Sequence, residues 1–538
     1  MSGKRLEFPI ARLEELPYLQ GRQLNFNSIA EMIYTRVQED PAATHVLFYD
    51  QVITYAQTNQ RSNQVANYLK ENGVQKGDIV SIMVLNSPEI YYTMFGAQKL
   101  GAVAGAINYM LKGPEIAYVL NDSKPKVAFV GSEFMKDFAA GYELAGHKPI
   151  VVEVATGVPH DSQIAVCKLE EILASYPEIE TLVPQMPEDP FLLLYSSGTT
   201  GVPKGILLPN RAQLSVCRDM NRIQLFHGRD IMMIILPMFH TNPLCVWTYP
   251  LIYGGHTVCI RKNFSPLDFW PAVMQYGVNV VFGVPAMFNY IFNAADPKII
   301  DRDKLKLRYA FSGAAPLPVE LIRGFKDKFN VDILEGYGLT EVTGVSTVNP
   351  PLGKKKAGSV GLNYPEQEVA VMDDNNQILP PGEKGEICMR GEANLLAYLN
   401  QPEATAETLK DGWLHTGDIG YMDEEGYFYI VDRKKDMINR GGENIYPREI
   451  EIVIEAHPKV SEVAVIGIPD PALGERVKAY IIPRPEQNLS AEEIMDFLKD
   501  KIARYKIPEV IDITNNIPRN SSGKILKKEL RQMELAQE

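Results

Sequence analysis

Phe191-Leu-Leu-Leu-Tyr195 runs without a break into Ser196-Ser-Gly-Thr-Thr-Gly-Val-Pro-Lys204-Gly205. A short apolar run, preceded by the proline-punctuated loop Pro184–Pro190, reads as a buried strand, and the turn after it is built from anion-binding residues. Glycines let backbone N–H groups approach a phosphate closely. The hydroxyls of Ser196, Ser197, Thr199 and Thr200 add donors, and Lys204 adds positive charge. The spacing lacks the Gly-Lys-Ser/Thr ending of a Walker loop, so a polyphosphate cradle of another kind is expected. A flexible surface linker would share this composition, but it would not follow an apolar strand or keep a Pro203-Lys204 ending.

Upstream of this segment, helix-like and strand-like stretches alternate: Arg61–Glu71 as helix, Ile79–Val84 as strand, Pro88–Leu100 as helix. Such alternation predicts a parallel sheet covered by helices. Ile231–Phe239 is a buried-strand candidate. Downstream, Val280–Val284, Tyr309–Phe311 and Val331–Leu334 are short apolar runs, the last two leading into the small-residue turns Ser312-Gly-Ala-Ala315 and Gly336-Tyr-Gly338. Ligands collect at such strand ends in open α/β sheets, so one site is expected to gather all three. The last hundred residues read as a separate α+β unit. Val463–Ile468 and Val477–Ile482 are its strands, and Ser490 with Glu493 caps a helix with the apolar face Ile494, Phe497, Leu498 and Ile502. An α/β fold with a large domain over 1–432 and a small one over 433–538 follows, divided at the charged run Asp432–Asp436.

At 538 residues the chain exceeds one ordinary core, and 45% hydrophobic with 22% charged residues is the balance of a folded globular protein. A net charge of −13 argues against a general nucleic-acid binder, which needs a basic surface. The five cysteines are dispersed, without the close pairs of a zinc or redox motif, and read as buried free thiols. Met1–Pro9 lacks the apolar core of a signal peptide, and no apolar run approaches the ~18 residues of a membrane span. Ala536-Gln-Glu538 is not a peroxisomal signal, so a cytoplasmic location is expected.

The segment Tyr195–Gly205 resembles the signature loop of the adenylate-forming superfamily, which includes acyl- and aryl-CoA ligases, firefly-type luciferases and the adenylation domains of peptide synthetases. Further matches follow in order: Leu236-Pro-Met-Phe-His240, Ser312-Gly-Ala-Ala-Pro316, Gly336-Tyr-Gly-Leu-Thr-Glu341, Trp413-Leu-His-Thr-Gly-Asp418, Asp432-Arg-Lys-Lys-Asp436, Gly441-Gly-Glu-Asn444 and Pro518-Arg-Asn-Ser-Ser-Gly-Lys524. The resemblance implies a β-barrel-like subdomain beside the helix-covered sheets, and a mobile C-terminal domain. It also implies the use of ATP, Mg²⁺ and coenzyme A on a small carboxylic acid, and is compatible with a homodimer.

Adenylation drives a carboxylate against the α-phosphate of ATP, so the site must supply cations and donors where charge develops. By resemblance Lys524 is the catalytic lysine between the two anions, Thr340 contacts the α-phosphate, and His240 is an active-site wall near the carboxylate. The resemblance makes Glu341, a hard oxygen donor, the Mg²⁺ ligand. Ser196, Ser197, Gly198, Thr199, Thr200 and Lys204 hold the polyphosphate. Tyr337, between Gly336 and Gly338, presents a flat ring to adenine; Gly313, Ala314 and Ala315 line its other face, with Glu335 beside them. The resemblance also gives Asp418 and Arg433 to the ribose and makes Lys435 the hinge. By the same resemblance Gly441, Gly442 and Glu443 are expected to line a CoA tunnel.

Three departures from the family pattern stand out: Pro209-Asn210-Arg211 for Ser/Thr-His-Arg, Ala397 for the glycine before Tyr398-Leu399, and Thr241-Asn242-Pro243 for glycines after the Phe-His pair. The first two are expected to touch only scaffold, the third to border the acyl pocket. Trp247, Tyr249, Phe282, Val284, Pro285 and Met287 suggest a closed apolar cavity for a medium-sized aromatic, alicyclic or short-to-medium aliphatic acid. The Arg440–Pro447 segment favours a CoA ligase; a stand-alone enzyme loading a carrier protein is the alternative, and luciferase-like oxygen chemistry is discounted.

Overall fold

The computed structural model describes residues 10–156, 164–196, 203–223, 225–295, 300–301, 303–315, 317–440, 443–471, 473–499, 501–519 and 525–535, except the side chains of 443, 444 and 535. Two compact units result: one comprises the chain up to Val369 with Met389–Leu414, the other Ala370–Cys388 with the chain from His415 onward.

The larger unit contains two sheets. In the first, Pro190–Ser196, Val103–Ala106, Ile79–Met83, Val127–Gly131, Ile150–Val154 and Ala165–Lys168 lie side by side and parallel. Lys204–Pro209 folds back antiparallel on Pro190–Ser196, and Ala397–Tyr398 closes that edge. In the second sheet Asp332–Tyr337, Tyr309–Ser312, Val280–Gly283, Ile231–Ile234, Thr257–Ile260 and Thr44–Phe48 are parallel. Short antiparallel strands flank them, Gln51–Thr54 on one edge and Thr347–Val348 with Leu362–Asn363 on the other.

The expected helix at 61–71 begins earlier, at Tyr55, because Thr54 and Gln57 form a reciprocal capping box. Helix Pro88–Lys99 starts on Ser87 with proline in its first turn and is buried on almost every face. At Gly96 a Cβ would lie 2.6 Å from Val65 Cγ1, so these two helices approach through a glycine. The expected strand Ile231–Phe239 is shorter than its hydropathy suggests and ends at Ile234. Asn86 draws the chain away: its Nδ2 donates to the Leu236 carbonyl at 2.7 Å, and its Oδ1 accepts the Met238 N–H at 2.8 Å. Among the described residues, no helix is long and apolar enough to cross a membrane.

The smaller unit is α+β. Val460–Asp470 and Gly474–Pro483 form a long antiparallel hairpin, with Val510–Ile513 parallel to the second strand and Ile438–Arg440 paired to Glu443–Ile445. Ser490 accepts the Glu493 N–H and opens helix Ala491–Leu498, whose Ile494 and Leu498 pack with Ile450, Ile454, Val465 and Val477. In the same unit, Asp418 and Arg433 are opposite each other on paired strands.

Candidate active site

The signature segment is a β-hairpin. Tyr195 pairs with Gly205 and Ser196 with Lys204, while residues 197–202, which include Ser197, Gly198, Thr199 and Thr200, lie outside the described set. The hairpin base is held from both sides. Tyr195 OH donates to Asp122 Oδ2 at 2.7 Å, Asn400 Nδ2 donates to the same carboxylate, and Tyr118 OH donates to the Pro203 carbonyl at 2.9 Å.

Lys204 Nζ sits 4.7 Å from the ring centre of Tyr398, a cation–π contact, and Tyr398 OH donates to Glu341 Oε1 at 2.9 Å. One tyrosine therefore joins the expected phosphate lysine to the expected metal carboxylate. Burial first, and then the facing Glu341 charge, holds the Tyr398 phenol well above its ordinary value, so it stays a donor. The same segment pins the 339–345 turn: Leu395 N–H donates to the Glu341 carbonyl at 2.7 Å, and Thr343 Oγ1 to the Ala393 carbonyl at 2.7 Å. Sequence reading assigned the Ala397 departure to scaffold. Ala397 pairs with Leu207, and its neighbour Tyr398 touches two candidate site residues.

Thr340 Oγ1 lies 2.6 Å from Thr241 Oγ1, which brings the turn after His240 against the Thr340-Glu341 pair. Burial pushes His240 down to about 4, so its imidazole is neutral at pH 7, and it packs on Phe239 with ring centres 4.3 Å apart.

The residues expected at adenine stand on two adjacent strand ends. A Cβ on Gly313 would stand 2.9 Å from the Gly336 carbonyl oxygen, and one on Gly338 would stand 2.5 Å from Val345 Cα. Neither turn admits a side chain there. Ala314 holds φ +67°, a left-handed conformation costing about 1–2 kcal/mol for a residue with a Cβ. Glu335 stabilises this turn: its Oε1 accepts the Leu317 N–H at 3.3 Å. Tyr337 and Ala315 follow on these two strand ends, Tyr337 partly exposed and Ala315 exposed.

In the smaller unit, Arg433 Nε lies 2.7 Å from Asp418 Oδ1. The turn carrying Asp418 is fixed by its own N–H donating to Thr416 Oγ1 at 3.0 Å, and by Gly417 N–H donating to Glu386 Oε1 at 2.9 Å. Lys435 is exposed, and partial desolvation lowers its pKa. Lys524, Gly441, Gly442 and the side chain of Glu443 lie outside the described residues.

Two expected pocket residues have other work. Tyr249 is wholly buried; its hydroxyl accepts from Gln98 Nε2 at 2.7 Å and its ring meets Phe191. Trp247 is equally buried against Phe226, Phe282 and Phe311. Hydropathy alone cannot separate such core aromatics from pocket lining.

With this geometry in place, comparison with known proteins is decisive: residues 33–399 match the AMP-binding enzyme family, and 449–524 match the AMP-binding enzyme C-terminal domain. The chain belongs to this family. It is 35% identical over 502 residues to a feruloyl-CoA synthase of Amycolatopsis sp, covering 92% of this chain and 97% of the relative. It is 34% identical over 509 residues to the fatty acid–[acyl-carrier-protein] ligase ScoC of Streptomyces coeruleorubidus, covering 92% and 94%. ATP-bound MatB from Rhodopseudomonas palustris superposes with a TM-score of 0.85 at 28% identity, covering 94% and 99%. This AMP-binding enzyme thus shares its α/β architecture with ATP-bound MatB over 94% of the chain.

Proposed function

We propose that this AMP-binding enzyme is an acid–CoA ligase: a carboxylate oxygen attacks the α-phosphorus of ATP, pyrophosphate leaves, and the CoA thiol then displaces AMP from the acyl-adenylate. The observation that carries this reading is the continuous Lys204–Tyr398–Glu341 connection beside Thr340, a cation, a hard anion and a hydroxyl held together. Such a set suits a polyphosphate bearing a divalent cation. Glu341 would hold Mg²⁺, which when bound draws charge from the departing pyrophosphate. Lys204 and Thr340 would neutralise phosphate oxygens, and Lys524 would sit between the carboxylate and the α-phosphate. Tyr337, Gly313, Ala314 and Ala315 would take adenine, and Asp418 with Arg433 the ribose.

In this reading residues 433–538 swing about Lys435, first delivering Lys524 and then opening Gly441-Gly442, beside Glu443, to pantetheine. Closure of this kind protects a water-sensitive mixed anhydride. The enzyme is cytoplasmic and acts on small molecules, as a monomer or a homodimer.

The acid is a medium-sized aromatic, alicyclic or short-to-medium aliphatic carboxylate. Phe282, Val284, Pro285 and Met287 at one strand end support it, as does the feruloyl-CoA synthase among the relatives. A second reading, transfer to a carrier protein, is favoured by the similarity to ScoC. A panel of acids assayed for pyrophosphate release, with and without CoA, tests both. Acyl-CoA and AMP in equal amounts support the ligase; acylation of a carrier protein with CoA inert supports the second reading. Turnover of acetate alone or of very long chains alone would refute the acid class.

A further inference from the structure

Glu386 and Cys388 stand two residues apart on strand Gly385–Gly391, so their side chains leave the same face, and His415 stands on the strand Trp413–Met422. Their ligand atoms all lie within 4.8 Å of one another. Cys388 Sγ is 3.5 Å from His415 Nδ1, and His415 Nδ1 is 3.3 Å from Glu386 Oε2. A tetrahedral zinc ion with ordinary bond lengths has ligand–ligand edges of about 3.4–3.6 Å. We propose that Glu386, Cys388 and His415 form a binding site for zinc or a similar borderline divalent cation, separate from the Mg²⁺ function assigned to Glu341.

The donor set is selective. A thiolate and an imidazole prefer zinc or cobalt, whereas Mg²⁺ demands hard oxygen ligands. Loading sends the Cys388 thiol proton to solvent. Lys434 Nζ, 3.4 Å from Glu386 Oε2, can leave it for Asp374, whose Oδ1 is already 2.9 Å away. Glu386 Oε1 meanwhile keeps the Gly417 N–H, so an ion here would stiffen the turn that carries Asp418.

The test is cobalt titration of the metal-stripped full-length protein, read by absorbance. A near-ultraviolet thiolate-to-cobalt band saturating at one ion per chain is expected, abolished by zinc but not by excess Mg²⁺. C388S should lose the band and H415Q should weaken cobalt binding at least tenfold, while C167S, at a partly exposed thiol, should keep it. Thermal unfolding without metal identifies any variant that fails to fold; if C388S fails, H415Q decides. No band, a band surviving in folded C388S, or wild-type affinity in H415Q would overturn the proposal.

Discussion

Replacing Tyr398 by phenylalanine keeps the ring that faces Lys204 and deletes only the hydroxyl that donates to Glu341 Oε1 at 2.9 Å. Partners that orient a metal-binding carboxylate are worth about 10–100-fold in metal affinity, or about 1.4–2.7 kcal/mol. The lower half of that range applies if water replaces the lost donor; the upper half applies if the partly buried Glu341 turns away from the site. We therefore expect the Mg²⁺ concentration giving half-maximal ATP–pyrophosphate exchange to rise at least tenfold in Y398F, with thermal unfolding little changed. Y398L should lose the Lys204 contact as well and raise the KM for ATP further. An unchanged Mg²⁺ midpoint in Y398F would refute the view that this tyrosine organises the metal carboxylate.

K524A should lower adenylate formation by about 10²–10³-fold, the scale of one transition-state electrostatic contact, yet leave CoA transfer from supplied acyl-adenylate intact; near-normal exchange would contradict the role of Lys524. G441L should do the reverse, sparing exchange and blocking thioester formation, and equal damage to both half-reactions would argue against the tunnel. Stability should fall steeply in acid. Burial pushes His45 and His256 down to about 3 from an ordinary 6.5, so the unfolded chain binds their protons below pH 6.5 while the folded chain refuses them until about pH 3. Each should remove about 2 kcal/mol between pH 7 and pH 5. Denaturant unfolding at both pH values checks this; H45Q should recover its share, and a drop of unchanged size would contradict the assignment.

Local pattern carried the reading of the fold a long way. The apolar run before Ser196, the small-residue turns after Ser312 and Glu335, and the Ser490 cap are signals within a few residues of one another, and the sheets and helices formed where they pointed. What escaped is long-range. Tyr398 meets Glu341 across 57 residues and stands in a motif that looked like scaffold; long-range pairing of Ala397–Tyr398 with the signature hairpin brings it to the site. Asn86 cuts the 231 strand short from 150 residues away. Cys388 lacked any nearby cysteine or histidine in sequence, and strand pairing alone sets His415 beside it.

The central claim is that the acid is activated as an acyl-adenylate, and heavy-oxygen labelling of both carboxylate oxygens of a turned-over acid tests it most directly. The account predicts one labelled oxygen in AMP for each acyl-CoA formed. Unlabelled AMP, or label in inorganic phosphate alongside ADP, would contradict it.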